Sequence, residues 1–266
     1  MSDAPTILVF DSGLGGLTVF REIAAMRPDA QYVYAADDAA FPYGGWMEND
    51  LAGRVVDVMG ELTDRFEPNL VVIACNTAST IVLEELRRRF SLQFVGTVPA
   101  IKPACAMSRT RLVSVLGTEA TVAREYTKTL IRDFGQGCDV TLVGSGRLAV
   151  LAEAHLHGEP VDDAAIAAEI APCFVEKNGA RTDVVVLACT HYPLLLERIS
   201  AAAPWPVTFV DPAAAIARRV LELIGRGNAA SPPSARIHFT SGKQAPGPLL
   251  SALVRFGFHP TVAASS

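Results

Sequence analysis

VVIACNTAST, residues 71–80, runs an apolar, largely β-branched stretch into Ala-Cys and then into Asn and Thr. VVVLACTHYP, residues 184–193, repeats the arrangement, its Ala-Cys followed by Thr and His. Short Val/Ile/Leu runs of this kind read as strands buried on both faces, as in parallel sheets covered by helices. In such sheets the functional loops lie beyond the carboxyl ends of the strands, which is where Cys75 and Cys189 fall. An enzyme that moves a proton on either face of one carbon needs two equivalent acid/base groups facing each other. Cys75 and Cys189 are therefore the first candidates for chemistry.

The rest of the chain has the same character. Apolar runs at 6–10, 31–35, 70–74, 93–95, 112–116, 139–143, 183–188, 207–209 and 236–239 alternate with amphipathic stretches at 48–66, 77–90, 120–134 and 162–177. The expected fold class is α/β, with mostly parallel sheets flanked by helices. A second rhyme supports a pairing of halves: TILVFDSGLGGLTVFREI (6–23) and RLVSVLGTEATVAREYTK (111–128) both read as strand, small polar turn, helix. Each precedes one Ala-Cys segment. The reading is two pseudo-symmetric domains meeting at a cleft that holds the active site, one thiol on each wall. The bland alternative, that any two α/β units look alike at this level, stays open on periodicity alone. The proline-flanked segment VGTVPAIKP (95–103) marks a crossing. The expected first domain is 1–97 plus 207–266, with Asp11, Tyr43 and Cys75. The expected second is 98–206, with Thr118, Glu153 and Cys189.

Composition narrows the function classes. The 266 residues are 50% hydrophobic and 19% charged, with a formal net charge of −5. There is no basic excess, and the Arg87–Arg89 cluster sits at a predicted helix end, where cations favour dipole and solvent. Nucleic acid is not an expected partner. No apolar run approaches the ~20 residues of a membrane span, and MSDAPTILVF has no export signal. The five cysteines form no CxxC pair, so neither a disulfide framework nor a metal site is expected. Free thiols without an export signal suggest the cytoplasm.

Local context separates the cysteines. Cys105, Cys138 and Cys173 read as buried and inert. Cys75 and Cys189 each end a strand and are expected to open a helix, whose N-terminus lowers a thiol pKa from its usual ~8.5. Asn76, Thr77, Thr190 and His191 follow directly and supply donors suited to a carboxylate. His191 can serve as proton partner to Cys189; His155, His157, His238 and His259 have no such neighbours. Asp11 and Ser12 end the first strand in VFDSGLGGL, where Gly13, Gly15 and Gly16 allow close backbone approach. The spacing is not that of a dinucleotide fingerprint. A phosphohydrolase built on Asp11 usually has a second Asp two residues on, where Gly13 stands; Asp11 could also cap the next helix. FPYGG (41–45) is a tight turn whose Tyr43 hydroxyl and Gly44 backbone could hold the polar end of a ligand, or a plain turn.

Taken together, DSGLGGL (11–17), PYG (42–44), ACNTAS (74–79) and ACTHYP (188–193), in that order and with LGTEATV (116–122) between, resemble the glutamate racemase family. The resemblance covers about 6–193. It implies a cofactor-independent racemase with two α/β domains around a cleft. Cys75 and Cys189 would be the proton carriers, with Asp11 and His191 assisting. Asp11, Ser12, Tyr43, Gly44, Asn76, Thr77, Thr118, Thr190 and His191 would hold the amino acid. Glu153 in LAVLAE (148–153) matches a further acidic position. The chain departs from the family at Gly45-Trp46-Met47, where Lys-Ser often follows PYG. It departs again at Pro99-Ala100, where an acidic residue is common, and at Ser145-Gly146, in place of Cys-Pro.

The resemblance further implies conversion of L-glutamate to D-glutamate for peptidoglycan synthesis. The rival readings are a racemase for aspartate or another acidic amino acid, and an interaction module on a retained racemase fold. The His-Tyr-Pro after the second cysteine separates the chain from aspartate racemases. An interaction module would be expected to have lost a thiol or its polar neighbours, and both sets are present. Pyridoxal phosphate would need a lysine Schiff base. None of Lys102, Lys128, Lys177 and Lys243 lies in a strand-end loop beside a phosphate-binding motif, so no cofactor is expected. The expected partners are a small-molecule substrate and a second copy of the chain in a homodimer, with no membrane.

Overall fold

Strand β1 (Thr6–Asp11) is buried from its second residue onward. It pairs in parallel with β2 (Gln31–Ala36) on one side and β3 (Leu70–Ile73) on the other, and β3 pairs with β4 (Gln93–Gly96). Because side chains alternate across a strand, Ile7 and Val9 enter one core with Leu17, Phe20 and Ile23. Leu8 and Phe10 enter a second with Val55, Met59 and Val82. Helices on both faces therefore explain the unbroken apolar runs. The helix Glu48–Phe66 shows how the sequence builds a cover. Leu51, Val55, Met59 and Leu62 recur at helical spacing, while Glu48 and Asp50 open it and Arg65 closes it in accord with the dipole. The computed structural model describes residues 4–135, 137–227 and 234–258; His259 and the end of the segment 207–266 lie outside the described residues.

The second sheet repeats the plan. Its strands are β5 (Leu112–Thr118), β6 (Asp139–Ser145), β9 (Val184–Ala188) and β10 (Thr208–Val210), with a small hairpin of β7 (Glu176–Lys177) and β8 (Ala180–Arg181) before β9. All its pairings are parallel, in the order β6-β5-β9-β10, equivalent to β2-β1-β3-β4 of the first sheet. In both, the chain changes direction of growth between the second and third strands. That reversal opens a crevice beyond the carboxyl ends of β1 and β3, and of β5 and β9. Cys75 and Cys189 follow β3 and β9, the equivalent strands. Last, β11 (Ser234–Phe239) pairs with the outer side of β2 and completes a five-stranded first sheet.

The structure corrects three expectations. The run at 207–209, read as the return to the first domain, is instead the edge strand β10, with Thr208 N donating to the Asp183 carbonyl at 2.8 Å and pairing with β9. The return comes with the helix Ala213–Ile224, whose Ile216, Ala217 and Val220 join the first core. The stretch 120–134 is two helices, Glu119–Ala123 and Glu125–Phe134, broken at an extended Arg124. Thr127 donates its hydroxyl to the Thr121 carbonyl at 2.7 Å there, taking up a group the break leaves free. The stretch 162–177 stops as a helix at Ile170 and turns through Pro172 into the hairpin. Asn178 and Gly179, both at positive φ, form the two-residue turn that such a hairpin favours. No helix among the described residues is long and apolar enough to cross a membrane.

Candidate active site

The two crevices face one small, narrow cavity of about 20 Å³. Cys75, Asn76 and Thr77 border it from the first sheet, and Cys189, Thr190 and His191 from the second. Ser12, Tyr43, Gly44 and Thr118 also reach it, while Asp11 stands behind it against Thr190, and Glu153 against His191. Phe41, Pro42 and Ala149 complete the lining; of these only Pro42 belongs to a sequence motif, PYG.

On the second-sheet side, His191 is buried between two acidic partners. Its Nδ1 is 3.9 Å from Cys189 Sγ and its Nε2 is 2.8 Å from Glu153 Oε1. Burial opposes an imidazolium, but the hydrogen bonds to Cys189 and Glu153, and their charges, outweigh it and hold the His191 pKa well above its usual value. The Gly15 N–H, 3.2 Å from Nε2, favours the neutral ring and is the longer contact. Glu153, on the helix Leu148–Leu156, also accepts from Leu14 N at 2.6 Å and so ties the first-strand loop to the second domain. That closeness explains one glycine. A Cβ on Gly15 would lie 2.6 Å from the His191 backbone nitrogen, so only hydrogen fits.

The first-sheet side is different in charge. Cys75 caps the helix Asn76–Arg89, its sulfur accepting from Ala78 N at 3.5 Å, and its thiol donates to Ser12 Oγ at 3.7 Å. The expected lowering of its pKa is not found. Burial, reinforced by the charge of Asp11, pushes the Cys75 thiol up to about 12, and the one backbone N–H is too little to reverse it. Asp11 is itself raised by burial, partly offset by His191 and by the Gly16 N–H that it accepts at 2.8 Å. Thr190 Oγ1 donates to Asp11 from 3.3 Å, a second link across the domains. Nor does Cys189 open an α-helix. A 3₁₀ turn, Tyr192–Leu195, follows, and the helix Leu196–Ala202 begins only after it.

Two groups can meet an anion. Asn76 Oδ1 and Nδ2 are buried with no partner among the described residues, which is rare unless a ligand or water completes the site. The hydroxyls of Thr77, Thr118 and Thr121 form a ring, with separations of 3.1, 3.2 and 2.9 Å, that joins the two domains at the cavity. Thr121 has one signal in the sequence, its place one helical turn after Thr118 in LGTEATV. The Tyr43 hydroxyl, expected to face a ligand, is donated instead to Asp37 Oδ2 at 2.6 Å. Among the described residues no group of three or more His, Cys, Asp or Glu is gathered as a metal site.

The family model for Asp/Glu/Hydantoin racemase matches residues 16–220. The chain belongs to the Asp/Glu/hydantoin racemase family. It is 57% identical over 219 residues to the glutamate racemase of Brucella canis, covering 82% of this chain and 79% of that one. To the glutamate racemase of Mesorhizobium japonicum it is 56% identical over 247 residues, covering 91% and 94%. Its structure is similar to that of Escherichia coli glutamate racemase in complex with L-glutamate and the activator UDP-MurNAc-ala, with TM-score 0.87, 41% identity and 96% of each chain covered.

A racemase of this family inverts a stereocentre, which takes a base on one face of a carbon and an acid on the other. Here the two thiols come from different sheets, and their surroundings are unequal. One faces a histidine that binds its proton tightly; the other is desolvated beside a carboxylate.

Proposed function

We propose that the protein interconverts L- and D-glutamate by proton transfer between Cys75 and Cys189, with no cofactor. The observation that carries the reading is the equivalence of the two thiols: each follows the third strand of its sheet, and both border one cavity. The glutamate racemases of Brucella canis and Mesorhizobium japonicum, and the L-glutamate bound to the Escherichia coli enzyme, support glutamate as substrate.

In the proposed reaction one cysteine, as thiolate, takes the α-hydrogen as a proton. The electron pair of the broken C–H bond passes into the adjoining carboxylate. The other cysteine, as thiol, delivers its proton to the opposite face, and the enantiomer leaves with thiol and thiolate exchanged. His191, favouring the cation, faces Cys189, whereas burial suits Cys75 to begin as thiol. Asp11 and His191 return the protons between turnovers. Asn76, Thr77, Thr118 and Thr190 hold the substrate carboxylates, a role in which each well-aimed donor contributes about 2.7–4 kcal/mol at most. None of the four lysines borders the cavity, in keeping with a route that forms no Schiff base. The D-glutamate made would serve peptidoglycan synthesis in the cytoplasm.

The test is circular dichroism of L- and of D-glutamate incubated with metal-free protein. Both signals should decay to zero, and in D₂O deuterium should enter the α-position. Cys75→Ala and Cys189→Ala should each abolish interconversion. Near-native racemisation by either variant would overturn the two-thiol assignment.

A further inference from the structure

Asp37 has no part in that mechanism, yet it is fully buried. It stands just beyond β2, whose last residue Ala36 is in register with Asp11. A buried carboxylate is costly unless well partnered, and Asp37 draws its partners from three distant segments. Arg54, on the helix Glu48–Phe66, grips it with Nε at 3.1 Å from Oδ2 and Nη2 at 2.6 Å from Oδ1. Thr240, just past β11, donates its hydroxyl to Oδ1 at 2.6 Å, and Tyr43 donates to Oδ2 at 2.6 Å. Burial alone would push the carboxyl up, but the bonds from Arg54, Thr240 and Tyr43 win and hold it below the usual carboxylate range. The anion is therefore permanent at neutral pH.

What the clamp holds is the lip of the substrate cavity. Phe41, Pro42, Tyr43 and Gly44 all border it, and Tyr43 is bound through its hydroxyl to Asp37 on the protein side. We infer that Asp37, gripped by Arg54 and Thr240, is the positioning residue that fixes the Tyr43-Gly44 lip against the substrate cavity. The inference rests on the racemase reading for what the cavity binds. A lip fixed in advance needs no ordering when ligand enters, which preserves affinity. A lip that only holds the ligand acts equally on ground state and transition state, so loosening it raises KM and leaves kcat.

Tyr43→Phe and Thr240→Val each remove one bond to Asp37 and keep the Arg54 grip, so both should fold; Asp37→Asn removes the charge itself. Each should raise KM for both glutamate enantiomers about tenfold with kcat within about twofold. Arg27→Gln breaks a part-buried ion pair remote from the cavity, Arg27 with Asp29 at 2.8 Å; it should lower Tm and leave KM alone. A second readout needs no turnover. Trp46 adjoins the lip and donates Nε1–H to the Ala40 carbonyl at 2.9 Å, and Trp205 is the other of the two tryptophans. In a Trp205→Phe background, acrylamide quenching of Trp46 should increase about twofold in the lip variants, as local opening becomes easier. Unchanged KM and unchanged quenching in Tyr43→Phe and Thr240→Val, with only Tm lowered, would overturn the inference. If the parent protein fails to interconvert glutamate, the function reading falls instead, and Trp46 quenching still decides the role of the clamp.

Discussion

Glu153 Oε1 lies 2.8 Å from His191 Nε2, and the other nitrogen of that ring faces Cys189 Sγ at 3.9 Å. Carboxylate, imidazole and thiol are thus in line, with the carboxylate on a helix of its own and the other two on one strand-end turn. The carboxylate orients the ring and stabilises its charge, which in the proposed reaction would suit the ring to return a proton to the sulfur.

Replacing Glu153 by Gln should therefore lower the His191 pKa and reduce kcat/KM by about 10–10²-fold. A group that holds its proton more tightly folded than unfolded adds stability that is complete below its unfolded pKa and lost as pH rises through the folded one. His191 is raised, so the Tm difference between parent and Glu153→Gln should be largest near about pH 6 and close as pH climbs. Thermal melts across pH, with NMR titration of the His191 ring, measure both effects.

Cys75 should be a slow nucleophile in the ligand-free protein. A thiol pushed up to about 12 holds about 10³-fold less thiolate at neutral pH than a free cysteine. Iodoacetamide at pH 8, followed by peptide mass mapping, should label it more slowly by at least that order. Labelling at the rate of free cysteine would mean that the helix N-terminus outweighs burial.

Asn76 should separate stability from binding. Its amide is buried without a partner among the described residues, an arrangement that costs about 1–3 kcal/mol in the free protein. Asn76→Ala relieves that cost while opening a small void, so Tm should hold or rise. KM for glutamate should nevertheless rise by about tenfold or more, the loss of about 1.4 kcal/mol of ligand binding. A variant with lower Tm and parental KM would show that Asn76 is structural only.

Much of the site was legible because its signals are local. Val71–Ile73 and Val184–Leu187 are buried on both faces, as their unbroken apolar character requires, and the polar residues that follow each cysteine reach the cavity because strand ends converge there. The hairpin at Asn178-Gly179 was legible too, since Asn-Gly favours the positive φ that both residues adopt; a helical reading of 162–177 passed over it. Asp37 and Arg54 were not legible. Their meeting joins a strand end to a helix face, and nothing in either segment announces the other.

The sequence by itself determined the alternation of strand and helix, the duplication of the strand-end thiol and the family, because hydrophobic period and short motifs are properties of neighbours along the chain. Only the tertiary structure decided which sheet 208–210 joins, where the Tyr43 hydroxyl goes, and that Cys75 is raised rather than lowered. Those outcomes depend on what packs across from each group. Desolvation and pairing are set by residues distant in sequence, and at Cys75 they exceed the local pull of a helix N-terminus.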